Sequence, residues 1–199
     1  MGIERQGARP TGLLGRLIGL LMNLSQTPVY VSYLNDKLPP NDSAILDIGC
    51  GGGRFLEFLS TKNSTYKLLG VDHSTEMIKL ARKVNRISSS SEGKHVTIMH
   101  ASVTAMPIES SSVDLATAFE TVQFWPGIDE SFSEVVRVLK SGGAFLIINR
   151  YPRQGSKWWK RAQIKSDREY AEKLRRTGFD RVETNLNYKR GWIIVTGMK

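Results

Sequence analysis

The sequence is poorest in cysteine. Among its 199 residues Cys50 stands alone, so neither a disulfide within one chain nor a cysteine-based zinc site can form. That usage fits a reducing, cytoplasmic location. Long apolar runs are also missing: "LLGRLIGLLM" (13–22) is interrupted by Arg16 and too short to span a bilayer. The "NLSQTPVY" that follows is a poor signal-peptide cleavage site, so an amphipathic helix resting on the domain is expected, without stable membrane insertion. Carboxylates are in deficit, with 19 Asp and Glu against 28 Lys and Arg, a formal charge of +9. The excess gathers in "PRQGSKWWKRAQIK" and "KLRRTGFDR". It reads first as a solvated basic face and second as a surface for nucleic acid or another anion.

What is present is alternation. "AILDIG" (44–49), "KLLGVD" (67–72), "HVTIMHA" (95–101), "VDLATAFE" (113–120) and "AFLIINR" (144–150) read as strands. Helical patterns lie between them: "RFLEFLSTK", then "TEMIKLARKVNRI" behind the N-cap Ser74, then "DESFSEVVRVLK" (129–140), ended by Ser141-Gly142-Gly143. "ISSSSEG" (87–93) reads as an exposed loop. Ser166-Asp167-Arg168-Glu169 is a capping box for a helix closed by Gly178, and "RVETNLNY" and "GWIIVTGM" form a hairpin about Lys189-Arg190-Gly191. The fold class is α/β, a Rossmann-like, doubly wound, mostly parallel seven-stranded sheet with an antiparallel edge hairpin. A single domain over 41–199 is expected, preceded by a helical lid segment over 1–40. Ligands of such sheets sit at the carboxyl ends of the strands.

The stretch "AILDIGCGGGRF" ends a strand in a glycine loop, and two ligands are disfavoured there. The dinucleotide fingerprint G-x-G-x-x-G finds Gly49 and Gly51 but meets Arg54 at its third glycine. A phosphate-binding P-loop would end in Gly-Lys-Ser/Thr, and "GGRF" does not. Asp47 ahead of the loop repels a pyrophosphate and favours a cationic or amino-bearing ligand.

"ILDIGCGGGRFLEFL" resembles the first motif of class I S-adenosylmethionine-dependent methyltransferases, small-molecule members of the quinone-biosynthesis type in particular. Later stretches are similar to that family in the right order. "GVDHS" (70–74) ends the second strand in an acid, "HASVTAMPIESSSVDLATA" (100–118) resembles "GDAxxLPFxxxSFDxV", "VVRVLKSGG" (135–143) resembles "xxRVLKPGG", and "YAEKLRRTGFDRVE" (170–183) resembles "xxxLLxxAGFxxVE". The likeness covers about 40 to 199. It implies S-adenosyl-L-methionine as cofactor, S-adenosyl-L-homocysteine as product and no metal. Cofactor contacts carried over by the resemblance are Asp47, Gly49, Cys50 and Gly51 in the loop and Asp72 on the ribose hydroxyls. His73 and Met77 border the adenine, Ser102 stands where an Asp often meets the adenine amino group, and Val103 and Phe119 complete the set. Cys50 reads as a small loop residue rather than a nucleophile.

The acceptor side is less legible. "FETVQFWPGI" (119–128) follows the fourth strand, and Glu120 is the candidate base or orienting group, or else a cap on the loop that follows. Phe124 and Trp125 are candidate substrate contacts, as are Tyr30 and Tyr33 in the lid; Trp125 reads equally as core. His100 reads as a satisfied loop histidine. "RYPRQGSKWWKR" (150–161) is a place for a substrate-binding insertion, or an anchored surface loop. The Asn/Asp-Pro-Pro-Tyr stretch of base- and glutamine-methylating enzymes is missing after strand four, as is an acidic cluster for a catechol-type metal. A small-molecule methyl acceptor is the expected partner. The alternatives are methylation of RNA or another anionic macromolecule, or cofactor binding without turnover.

Overall fold

A computed structural model describes residues 33–34, 38–88, 95–187 and 191–199. The chain divides into two compact units, one ending at Ser102 and one running from Val103 to Lys199. Most of the lid expected over 1–40, Tyr30 included, lies outside the described residues. Tyr33 and Leu34 are helical, half-buried and buried respectively.

The first unit holds β1 (Ala44–Ile48), α1 (Arg54–Lys62), β2 (Lys67–Asp72), α2 (Thr75–Ser88) and β3 (His95–His100). All five residues of β1 are buried, as a short apolar run covered on both faces requires. The strands lie in the order β3-β2-β1, all parallel, and the register sets Asp47 opposite Gly70 and Asp72 opposite His100. Helix α1 buries Phe55, Leu56 and Leu59, which fall on one face at helical spacing. Ser74 caps α2 as expected, its Oγ accepting from Met77 N at 3.4 Å and its carbonyl from Ile78 N at 3.0 Å.

The second unit holds β4 (Val113–Phe119), a 3-10 turn (Val122–Phe124), α3 (Ile128–Val138), β5 (Leu139–Arg150), α4 (Lys157–Arg161), α5 (Asp167–Thr177), β6 (Arg181–Asn187) and β7 (Trp192–Met198). The order is β4-β5-β7-β6, with β4 parallel to β5 and β7 antiparallel to both its neighbours. Its core is an aromatic stack: Trp125 lies on Phe145 at 6.2 Å and 14°, Phe132 meets both edge-on, and Phe179 covers Phe145 at 5.8 Å. Burying each ring contributes about 2–3 kcal/mol.

One boundary differs from the sequence expectation. The helix over 129–140 ends at Val138, and the glycine pair lies within β5 instead of before it. Leu139 is fully buried and extended opposite Val113, and the register then jumps to Leu115 opposite Ala144. Gly142, at φ 74, sits in the bulge so formed. Among the described residues there are seven strands, and the architecture is the expected α/β, Rossmann-like one, mostly parallel with an antiparallel hairpin at the edge. No described helix is long and apolar enough to cross a membrane.

Candidate functional site

In the first unit the turn after β1 is tied to the end of β2. Val71 O accepts from Gly49 N at 2.7 Å and from Cys50 N at 3.1 Å. Gly51 N then donates to Asp72 Oδ2 at 3.0 Å, while Asp72 Oδ1 accepts from Ser74 N at 2.8 Å. One carboxylate thereby orients both the glycine loop and the start of α2. Two of the loop glycines serve different ends. Gly51 has φ +50 and nothing within 4 Å of where a Cβ would stand, so its backbone borders open space. Gly53 has φ +77, and a Cβ there would meet Asn85 Nδ2 at 2.5 Å and Ala81 Cα and Cβ at 3.0 Å. The close approach that the dinucleotide pattern seeks at residue 54 is therefore made one residue earlier, against α2. Asn85, 2% exposed, locks it by donating to Gly53 O at 3.1 Å and Ala81 O at 2.9 Å.

The other residues expected around the cofactor in this unit are placed as follows. Asp47 is buried at the end of β1. Cys50 is buried, and desolvation, reinforced by the charges of Asp72 and Asp47, pushes its thiol well above the ordinary range. It is thus a packed neutral thiol. His73 is half exposed, with Nδ1 at 3.8 Å from Asp72 Oδ1. Its carbonyl accepts a 3.0 Å bond from His100 Nε2, which fixes the proton on that nitrogen and makes His100 the loop histidine expected. Met77 is buried on α2, and Ser102 is half-buried after β3.

In the second unit Val103 and Phe119 are both buried, Phe119 at the end of β4 opposite Ile148. Glu120 follows at φ 54, outside the comfortable range for a residue with a side chain, with its carboxylate 4% exposed. Its N–H donates to Ile148 O at 2.8 Å, and Oε1 accepts from Arg150 Nε at 2.7 Å. The Glu120 carboxylate is thereby paired with the Arg150 guanidinium. Beside it a small, open cleft is lined by Gln123, Asn149, Arg150, Trp158, Gln163 and Tyr170 among others. Phe124 is half-buried in the 3-10 turn.

Trp125, read equally as core and as substrate contact, packs in the core. The ring is 6% exposed, its face is occupied by Phe145, and its carbonyl accepts from Gln163 Nε2 at 2.7 Å. It belongs to the core because the turn after β4 directs the ring inward onto α3 and β5. "GSKWWKR", read as a loop, contains a short helix, α4, whose N-cap Ser156 accepts from Trp159 N at 3.1 Å.

Sequence reasoning missed Glu134. Its Oε2 accepts from Arg137 Nε at 2.6 Å, and its Oε1 from Arg137 Nη2 at 2.8 Å and Met106 N at 2.7 Å. Arg137 also donates to Ile108 O, Met106 O and Ser110 Oγ, so the pair pins the whole Met106-Pro107-Ile108 segment. The guanidinium holds the Glu134 carboxyl below its ordinary value. The i,i+3 spacing of Glu134 and Arg137 was the available signal.

Known proteins agree with this picture. An uncharacterized chloroplastic methyltransferase of Arabidopsis thaliana is 25% identical over 103 residues, 51% of this chain and 29% of that protein. A ubiquinone biosynthesis O-methyltransferase of Xanthomonas axonopodis pv. citri is 28% identical over 128 residues, 63% of this chain and 51% of that one. The chain thus spans about a third to a half of the length of the curated relatives it matches. A solved complex of the Haloferax volcanii Trm112 methyltransferase activator with a methyltransferase superposes with a TM-score of 0.74 at 18% identity, over 90% of this chain and 92% of that one. At that identity the likeness is one of fold. The model of the methyltransferase domain family matches residues 46–147, about half of the chain, and the protein belongs to that family.

Proposed function

We propose that the protein is an S-adenosylmethionine-dependent methyltransferase acting on a small-molecule nucleophile. The observation that carries the reading is the Gly51–Asp72 junction. Gly51 offers bare backbone to open space, and Asp72 is oriented by it. A carboxylate has about four acceptor positions. Gly51 N and Ser74 N take two of Asp72's, which leaves room for the two hydroxyls of a ribose. Asp47 at the foot of the loop suits an ammonium. Gly49, Cys50, His73, Met77, Ser102, Val103 and Phe119 remain the further contacts that the family resemblance assigns.

The cofactor supplies a methyl group already activated on a sulfonium, so the chain's own work is to hold, align and exclude water. An acceptor that arrives ionised needs no base, and the Arg150 ion pair suits Glu120 to orientation rather than proton abstraction. A small acceptor is supported by the named relative in ubiquinone biosynthesis.

Calorimetric titration with S-adenosylmethionine and S-adenosylhomocysteine tests the reading. One-to-one binding is expected, weakened at least about tenfold in Asp72→Ala, which removes charged hydrogen bonds. Gly51→Val is expected to lose binding while still folding. A wild-type chain that binds neither compound overturns the proposal. A labelled-methyl screen over thiols, phenols, amines, quinols and RNA then identifies the acceptor class.

A further inference from the structure

Two arginines in the second unit are used in opposite ways. A guanidinium has five N–H donors. Arg137 spends its own on Glu134, Met106, Ile108 and Ser110, which is how a structural arginine is consumed. Arg150 spends one, Nε, on Glu120, and its Nη1 and Nη2 make no hydrogen bond among the described residues. Its side chain is nevertheless fixed. The partner carboxylate is 4% exposed and held by a strained backbone, and the Arg150 Cζ lies 5.5 Å from the Trp192 ring centre and 6.0 Å from that of Trp158. Ion pair and indoles together hold a half-exposed guanidinium in place with its forked edge unspent, and both Arg150 and Trp158 line the cleft.

The surroundings favour an anion. Residues 150–165 contain Arg150, Arg153, Lys157, Lys160, Arg161 and Lys165 and no carboxylate. Among the cleft-lining residues Asn149, 4% exposed, is held in place by donating through Nδ2 to Tyr170 Oη at 2.7 Å. Burial, reinforced by the charge of Glu169, keeps the Tyr170 phenol protonated, so the phenol itself brings no negative charge to the cleft.

We propose that this cleft binds an oxyanion group, a carboxylate or a phosphate, on the methyl acceptor. Arg150 is the group that reads it through its Nη fork, and Trp158 lies beneath the apolar or aromatic body. That the ligand is the methyl acceptor rests on the transferase reading above; that it is anionic does not. Glu120 is then a positioning residue, acting through Arg150. A planar fork matches two oxygens at once, which an ammonium cannot do.

Tryptophan fluorescence of the full chain is the test, since the cleft carries its own reporter and the readout needs no turnover. The probes are para-hydroxybenzoate, phenyl phosphate and the neutral para-hydroxybenzamide. At least one anion is expected to change the emission and to bind about tenfold or more tightly than the amide. The response to benzoate or to phosphate says which oxyanion is read. Arg150→Lys keeps the ion pair with Glu120 but loses the fork, and is expected to weaken the anion about fivefold or more. The double variant Arg150→Gln, Glu120→Gln strands no buried charge and is expected to erase the preference for the anion over the amide. Equal affinity for acid and amide, or unchanged anion binding in the double variant, overturns the proposal. So does an RNA oligonucleotide that saturates the signal at concentrations where neither small anion acts. S-adenosylhomocysteine calorimetry on the same sample separates the two readings. Cofactor binding without an anion response removes this proposal alone, and an anion response without cofactor binding removes the transferase reading and leaves the anion site.

Discussion

The two units build their sites from different material. In the first, the loop after β1 is assembled mainly from backbone: Gly49, Cys50 and Gly51 donate through N–H groups to Val71 O and Asp72, and Asn85 closes on the Gly53 carbonyl. In the second, the cleft is assembled from side chains far apart in sequence: Glu120 with Arg150, Asn149 with Tyr170, and Arg150 beside Trp158 and Trp192. A backbone site restricts residue type at a few positions and tolerates its neighbours. A side-chain site depends on strand register, since Arg150 meets Trp192 only because β5 and β7 pair there.

The contrast can be broken or sharpened by substitution. Trp125→Ala removes a stacked core ring and is expected to cost about 3–5 kcal/mol in urea unfolding. A variant of undiminished stability would return Trp125 to the acceptor site. Gly53→Val forces a Cβ onto α2 at positive φ, and is expected to cost about 2–3 kcal/mol. Gly51→Val, with open space around it, should lose only about 1–2 kcal/mol for its backbone. Equal losses at the two glycines would erase the distinction between a packing glycine and a ligand-facing one.

A smaller effect is expected from acid. Arg137 depresses the Glu134 carboxyl in the folded state, so the pair's contribution is complete above the ordinary value of 4.5 and is lost as pH falls through the lowered folded value. Glu134→Gln should cost about 1–2 kcal/mol at neutral pH and flatten the acid limb of stability against pH. A limb of unchanged slope would show that the pair holds no such charge. Smallest of all, Lys140→Ala breaks the exposed pair with Asp114 and should change stability by less than about 0.5 kcal/mol, as measured by the same unfolding curves.

Most of the first unit could be read from the sequence because its signals are local. A buried strand, a glycine turn, an acid at the end of the next strand and the Ser74 cap each occupy a few consecutive residues. Arg54 misled only about which glycine approaches α2, since a shift of one residue moves the close contact to Gly53. The second unit was legible in its elements, with the Ser166 cap and the hairpin where expected. It was less so in its contacts. Nothing local announced that Leu139 would leave the helix to pair with Val113 across a bulge, or decided between core and acceptor site for Trp125, which packs onto Phe145. "KWWKR" showed charge and aromatic rings, but their common neighbour Arg150 appears only once β5 has ended beside them.

Cys50 gives the molecule a built-in clock. As the only sulfhydryl in the chain, packed beneath the loop with its proton retained, it is closed to an aromatic disulfide reagent until the turn after β1 opens. The rate of labelling therefore measures the opening of that one turn, with no engineered reporter. Any compound that seats on the loop must slow it, in proportion to the fraction of molecules it holds shut.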